Sequence, residues 1–175
     1  MMHSEVIVVD ENDNAKGVME KMEAHQKGVL HRAFSVFVFN SAGELLLQQR
    51  ADHKYHSGGL WTNTCCSHPA PGEEVADAAV RRLKEEMGFN CELAHAFSFI
   101  YKAHFQNGLT EYEFDHVYIG YSDSIPLLNK DEVQDWKYIN LQNLSQDMEE
   151  NPGIYTAWIK ECFKMVVNHL KDTIV

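Results

Sequence analysis

Two carboxylates lie two residues apart at Glu111 and Glu113, in a stretch rich in aromatic and β-branched residues. Such a stretch predicts a β-strand, and alternate residues of a strand face the same side of a sheet. Imidazole joins carboxylate as a ligand for divalent transition metals, and His25, His31 and His68 stand near predicted strand or loop boundaries. Three nitrogens with two or three oxygens would form an octahedral site. A solvated face is the simpler explanation of an isolated Glu-x-Glu, and residue types alone do not choose among the ten histidines.

Periodicity and turn residues predict the elements that must position these side chains. Strands are expected over residues 5–10, 33–40, 44–50, 61–66, 93–101, 110–121 and 135–140, with hairpins joining 33–40 to 44–50 and 93–101 to 110–121. Helices are expected around 19–25, over 73–87 with Gly88 as the C-cap, and over 141–148 and 155–171. The polar loop between Arg50 and Gly59 could close over a ligand. Because regular βαβ alternation is missing, we expect an α+β fold with a mixed sheet, as a single domain over residues 1–175.

Composition and charge narrow the function classes. Fifteen basic against twenty-six acidic residues give a formal charge of −11, so the overall field repels nucleic acid and anionic membrane surfaces. An anionic substrate would therefore need a local cationic pocket. The sequence shows neither a signal-peptide pattern nor an apolar stretch of membrane-spanning length, and its four cysteines are interpreted as reduced thiols. We expect a cytoplasmic protein with no membrane span and infer no obligate protein partner.

The segment from Ser67 to Phe89 resembles the Nudix box, whose pattern is G-x5-E-x7-R-E-U-x-E-E-x-G-U with U an apolar residue. The matching residues are Glu73, Arg81, Glu85, Glu86, Gly88 and Phe89. Two positions depart: Ser67 replaces the first Gly, and Arg82 replaces the Glu that follows the Arg. The family's hydrolases use that Glu to hold magnesium around a pyrophosphate, so its loss argues against a hydrolase. Without the motif, Arg82 and Glu86 would form an ordinary salt bridge along one helix face.

The segment Trp61-Thr-Asn-Thr-Cys-Cys-Ser-His-Pro69 resembles the W-T-N-x-x-C-x-H-P segment of type 1 isopentenyl diphosphate isomerases, which belong to the Nudix superfamily. Further matches extend along most of the chain, and they are Glu20-Lys21 with His25, the run from Leu30 to Ser35, Glu111-Tyr-Glu113, and Trp158. The resemblance implies a Nudix-like mixed β-sheet sandwich flanked by helices. It also implies interconversion of isopentenyl and dimethylallyl diphosphate, which feeds isoprenoid biosynthesis.

The resemblance also implies roles for individual residues. The metal ligands would be His25, His31, His68, Glu111 and Glu113, holding Mn²⁺ or Mg²⁺, with Zn²⁺ also compatible. A second ion, Mg²⁺, would bridge Glu86 and the diphosphate. The diphosphate contacts would be Lys21, Arg50, Lys54 and Arg82.

The reaction protonates an alkene on one face and removes a different proton from the resulting tertiary cation. Cys66, rather than Cys65, and Glu113 would handle these protons, with Tyr101 orienting or relaying one of them. The indole of Trp158 would stabilise the cation through cation–π attraction. Without the resemblance, Tyr101 could equally be a core strand residue, and simple core packing would be the favoured explanation of Trp158 on its helix.

Two other functions compete with the isomerase. A Nudix pyrophosphate hydrolase would use the same helix to activate water, and Cys66 with Arg82 argues against it. A non-catalytic Nudix-like binding module would be expected to lack the full set of proton-handling and metal-binding residues, which this sequence retains.

Overall fold

The computed structural model describes residues 4–173. Within these residues nine strands form the sheet: β1 Glu5–Val9, β2 Ala15–Glu20, β3 His31–Phe39, β4 Leu45–Arg50, β5 Trp61–Thr62, β6 Cys65–Ser67, β7 Leu93–His104, β8 Thr110–Tyr121 and β9 Val133–Ile139. The same part of the chain contains four α-helices, α1 Lys21–Lys27, α2 Val75–Met87, α3 Leu141–Glu150 and α4 Ala157–Thr173, with a short 3-10 helix at Pro152–Ile154.

Strand β3 organises the sheet. It pairs in parallel with β8 over nine positions, from His31 opposite Glu113 to Phe39 opposite Tyr121. It also pairs antiparallel with β1, β4 and β6, while β7 and β8 form a long antiparallel hairpin. The mixture of parallel and antiparallel ladders agrees with the mixed sheet expected from the sequence.

Helices cover both faces of this sheet. Successive apolar side chains of β3 point to opposite faces, so both faces need a covering layer. Phe34, Val36 and Val38 pack with α2 in one core cluster. Phe37 and Phe39 face the other way and pack with α3 and α4 in a second cluster. An apolar run buried on both faces is typical of a strand inside a layered fold, and each buried aliphatic or aromatic side chain contributes about 1.5–3 kcal/mol. The layers therefore fix β3 and its neighbour β8 from both sides.

Several predicted elements are confirmed. Both hairpins form, and α2 ends at Gly88, which adopts a left-handed φ of 76° and donates its backbone N–H to the Lys84 carbonyl. A side chain at Gly88 would meet the Leu127 carbonyl oxygen at 2.3 Å, so glycine is required there for space as well as for conformation. In the first hairpin only Phe39 and Leu45 are paired, because β3 and β4 diverge to bind different partner strands.

Two parts of the prediction were wrong. Residues 15–20 form edge strand β2, whose side chains are mostly exposed and give little periodic pattern, so the first helix begins at Lys21 rather than near residue 19. The predicted strand over 61–66 is divided at Asn63 and Thr64. There the Thr64 hydroxyl bridges the backbones of β3 and β4, accepting from Val38 N–H and donating to the Leu46 carbonyl, in place of ladder bonds. Within residues 4–173, no helix combines the length and apolar character needed to cross a membrane.

Candidate active site

The two carboxylates of β8 lie on one face, as predicted, and both are buried. Glu111 is 6% exposed and Glu113 is 8% exposed, and the parallel pairing sets Glu113 directly opposite His31 at the start of β3. A pair of buried like charges is costly unless a cation or a proton compensates. Burial raises the pKa of both carboxyls, for Glu113 to about 7, and Glu113 further raises the pKa of Glu111.

Three imidazoles reach the same place from different parts of the chain: His25 from the last turn of α1, His31 from the start of β3 and His68 from the residue that follows β6. The Nδ1 of His25 lies 2.7 Å from the Lys21 carbonyl oxygen, and that of His31 lies 2.8 Å from the Val29 carbonyl oxygen. Because a carbonyl only accepts, each Nδ1 carries the proton and each Nε2 presents a lone pair. Backbone carbonyls that orient imidazoles in this way are typical of metal sites.

The donor set fits a divalent cation. His31 Nε2 lies 3.2 Å from His68 Nε2, which lies 3.2 Å from a Glu113 oxygen, about the spacing of adjacent ligands around one ion. Burial lowers the pKa of all three imidazoles, which favours the neutral form that binds a metal ion. His25 Nε2 and one Glu111 oxygen are buried without a hydrogen-bond partner among residues 4–173. A cation among these five residues, here called the metal cage, would satisfy all of these atoms.

Cys66 is held as a protonated thiol beside the cage. Its S–H donates to Asn63 Oδ1 at 3.1 Å, and its sulfur accepts from Trp158 Nε1–H at 3.0 Å. The Asn63 amide is itself fixed by hydrogen bonds to two backbone carbonyls. Burial, and then the charge of Asp115, raises the pKa of the Cys66 thiol.

Strand alternation separates the two cysteines. Cys65 points to the opposite face of β6, where it is fully buried and its S–H donates to a Glu86 oxygen at 3.0 Å. Cys66, by contrast, lines the same pocket as Glu111 and Glu113. The geometry therefore favours Cys66 as the thiol available to a ligand.

Four basic side chains line that pocket as well: Lys21, Arg50, Lys54 and Arg82. We call them the cationic wall. Arg82 bonds Glu86 at 3.2 Å and approaches Glu132 at 3.4 Å, and Lys54 also pairs with Glu132. Burial, followed by the charges of Lys54 and Arg50, lowers the pKa of Lys21 to about 8. A cluster of cations in an acidic protein is the local site that an anionic substrate needs.

Trp158 and Tyr101 complete the predicted set, in different positions. Trp158 lines the pocket with the Arg50 guanidinium 5.1 Å from its ring centre. Tyr101 pairs with Glu113 across the β7–β8 ladder, and its buried hydroxyl has no hydrogen-bond partner among residues 4–173. Burial and the two nearby glutamates raise its pKa. Tyr101 thus lies beside Glu113 on the same face of the sheet, outside the residues that line the pocket.

Sequence reasoning missed three polar residues of this site, which are Asp115, His56 and Glu132. Asp115 continues the alternation of Glu111 and Glu113 on β8, which could have revealed it, and it accepts from the Ser35 hydroxyl at 2.8 Å. His56 and Glu132 come from loops that carry no periodic pattern. Both reach the site only through the tertiary fold.

Comparison with known proteins shows the family. The NUDIX domain family model matches residues 29–159. "Isopentenyl-diphosphate Delta-isomerase 2" of Aromatoleum aromaticum is 56% identical over 167 residues, covering 95% of this chain and 88% of that protein. "Isopentenyl-diphosphate Delta-isomerase" of Pectobacterium atrosepticum is 53% identical, covering 95% and 93%. The chain belongs to the isopentenyl-diphosphate Delta-isomerase family.

Solved structures support the fold of this isomerase family member. A crystal structure from Deinococcus radiodurans superposes with a TM-score of 0.70 at 19% identity, covering 85% of this chain and 90% of that one. The MutT protein of Methanosarcina mazei superposes with a TM-score of 0.68 at 17% identity, covering 81% and 96%. At these identities the likeness concerns the fold alone, and it confirms the predicted α+β Nudix fold.

Membership of the isopentenyl-diphosphate Delta-isomerase family confirms the resemblance drawn from the sequence and decides against a non-catalytic module. It also fits the Nudix-box departures. Arg81 retains its paired hydrogen bonds to Glu73, at 2.7 and 2.9 Å, which tie the start of the box to α2. Arg82, at the altered position, faces the pocket. This isomerase therefore keeps the structural ion pair of the box and presents a cation where the pattern has a carboxylate.

Proposed function

We propose that the chain interconverts isopentenyl and dimethylallyl diphosphate as a single domain over residues 1–175, with Cys66 and Glu113 exchanging the protons. The observation that carries this proposal is that the thiol, the carboxylate and the cationic wall line one pocket. The diphosphate would bind the cationic wall, and the alkene would extend between Cys66 and Glu113.

The pKa values of Cys66 and Glu113 are compatible with proton exchange. The Cys66 thiol keeps its proton because burial raises its pKa, and burial also raises the pKa of Glu113 to about 7, which a bound cation would lower. Because the reaction is reversible, the group that donates in one direction accepts in the other. The unpartnered hydroxyl of Tyr101, across the ladder from Glu113, is placed to orient that carboxylate.

A divalent ion in the metal cage, Mn²⁺ or Mg²⁺ with Zn²⁺ also compatible, would compensate the buried carboxylates and stabilise the ionised form of Glu113. The proposed ligands are His25, His31, His68, Glu111 and Glu113. A second ion, Mg²⁺, would join Glu86 to the diphosphate. Glu86 is 5% exposed and lines the pocket next to Arg82, which suits a carboxylate that shares an ion with a bound anion.

Trp158 would stabilise the carbocation intermediate. Its N–H is used by the Cys66 sulfur, which fixes the ring beside the thiol and leaves its face for cation–π attraction, worth about 2 kcal/mol in a desolvated site. Arg50 near that ring would be drawn toward the diphosphate when substrate binds. The indole stabilises positive charge without offering a nucleophile that would trap the cation.

Product analysis tests this function. The protein is incubated with isopentenyl diphosphate and Mg²⁺ or Mn²⁺, and the mixture is analysed for dimethylallyl diphosphate and inorganic phosphate. We expect the isomer without phosphate release, and its loss in Cys66→Ala. Cys91→Ala is the matched control, because Cys91 lies outside the residues that line the pocket. Phosphate release by the wild-type protein would instead identify a hydrolase.

A further inference from the structure

His56 lies on the loop between β4 and β5 and is buried against the active site. Its ring stacks on Phe105, with centres 4.6 Å apart and planes inclined by 8°, and it forms a T-shaped contact with Tyr55, with centres 4.4 Å apart. Arg50 donates to the His56 carbonyl at 3.2 Å. The imidazole is therefore fixed in one orientation although it belongs to a loop.

The two ring nitrogens of His56 have different surroundings. Nδ1 lies 3.1 Å from the Ser57 hydroxyl, whereas Nε2 is buried without a hydrogen-bond partner among residues 4–173. Nε2 lies 3.9 Å from a Glu111 oxygen. A buried imidazole nitrogen that lacks a partner costs free energy unless a ligand satisfies it.

The unpartnered nitrogen points at the metal cage. Ligand atoms of His25, His56 and Glu111 all lie within 4.8 Å of one another, as do those of His25, His31 and His68. The two sets share His25, so both surround one region. His25 Nε2 and a Glu111 oxygen also lack partners within residues 4–173, which leaves three unsatisfied buried groups around the same point.

We propose that His56 is a fourth imidazole ligand of the metal ion in the cage, binding through Nε2 on the side of His25 and Glu111. This inference rests on the metal centre proposed above and adds a ligand to it. Nitrogen-rich coordination favours Zn²⁺, Co²⁺ and other transition metals over Mg²⁺, which prefers oxygen. His56 would therefore shift the cage of this chain toward transition metals.

Metal affinity is the first test. Apo protein is titrated with Zn²⁺ and with Co²⁺ against a chelator of known affinity, for the wild type, His56→Phe and His53→Phe. Phenylalanine preserves the stack on Phe105 but offers no ligand, and exposed His53 on the same loop is the matched control. We expect affinity to fall at least about tenfold in His56→Phe and to stay unchanged in His53→Phe. Equal affinity in all three proteins would overturn the assignment of His56 while leaving the metal centre in place.

A crystal structure of the zinc-loaded wild-type protein tests the ligand directly and does not depend on the folding of a variant. A distance of about 2.1 Å between the metal and His56 Nε2 supports the proposal. A distance beyond about 3 Å, with zinc held by the other cage residues, contradicts it. Failure of the wild type to bind metal at all would overturn both this inference and the metal centre of the proposed function.

Discussion

The metal cage and the cationic wall border the same pocket but differ in how their buried charged and polar groups are partnered. In the cage, neutral imidazoles and carboxylates face one another, and buried atoms of His25 and Glu111 lack partners among residues 4–173. In the wall, Arg82 and Lys54 already have carboxylate partners in Glu86 and Glu132. The cage thus lacks a cation, whereas two members of the wall already have carboxylate partners. Arg50 Nε and Arg82 Nε are still buried without a hydrogen-bond partner among residues 4–173, so a bound anion would add to these contacts or exchange with them.

The largest effect should come from the cage. We expect Glu113→Gln to lower kcat by about 10²–10⁴-fold, because it removes a proton-exchanging group as well as a metal ligand. Glu111→Gln should weaken metal binding but retain more activity when metal is saturating. Steady-state kinetics at several metal concentrations measures both variants. Equal losses at saturating metal would show that Glu113 acts only as a ligand.

Removal of metal should destabilise the protein through the cage alone. An ion at one hundred times its Kd stabilises the folded state by about 2.7 kcal/mol, so chelation should lower Tm by about 5–10 °C. Thermal melts with and without a chelator measure this difference. His31→Asn should abolish it, whereas Lys54→Ala, a change in the wall, should leave it intact. A difference that survives in His31→Asn would place the ion elsewhere.

Reversal of charge in the wall should act on substrate binding. In Arg82→Glu a carboxylate would lie beside Glu86 and Glu132, so we expect KM to rise about thirtyfold, or about 2 kcal/mol, with a smaller change in kcat. Lys84→Glu is the control, since Lys84 lies on the exposed side of the same helix. An unchanged KM in Arg82→Glu would remove this residue from the diphosphate site.

The smallest effect concerns pH. Burial, with Lys54 and Arg50 nearby, lowers the pKa of Lys21 to about 8, while Glu132 opposes this shift and Arg82 adds to it. Lys21 attracts the diphosphate only while protonated, so KM should rise as pH rises through about 8. Bound diphosphate would raise this pKa and move the change to higher pH in the complex. Lys21→Arg should flatten the KM profile over this range, and an unaltered profile would assign the titration to another group.

Much of this site could be predicted from the sequence because the features concerned depend only on residues that are close together in the chain. The Glu111 and Glu113 alternation, the α2 helix with its Gly88 cap and the segment around Cys66 are all readable over a few residues. What could not be read depends on contacts between distant parts of the chain. The parallel pairing that sets His31 opposite Glu113 joins strands that are far apart in the sequence, and the inward-facing ring of His56 stacks on Phe105 from the β7–β8 hairpin. Edge strand β2 was not predicted because its mostly exposed side chains give no alternating pattern of apolar residues.

The hydrogen bonds around Cys66 also bear on its reactivity toward reagents. The Cys66 thiol donates a hydrogen bond to Asn63 Oδ1, and burial raises its pKa, so it forms little thiolate at neutral pH. Thiolate, not thiol, attacks alkylating agents and peroxides, so Cys66 should resist both when free in the pocket. An electrophile that inactivates this enzyme would therefore need an anionic group to dock on the cationic wall, so that proximity compensates for the low nucleophilicity of the sulfur.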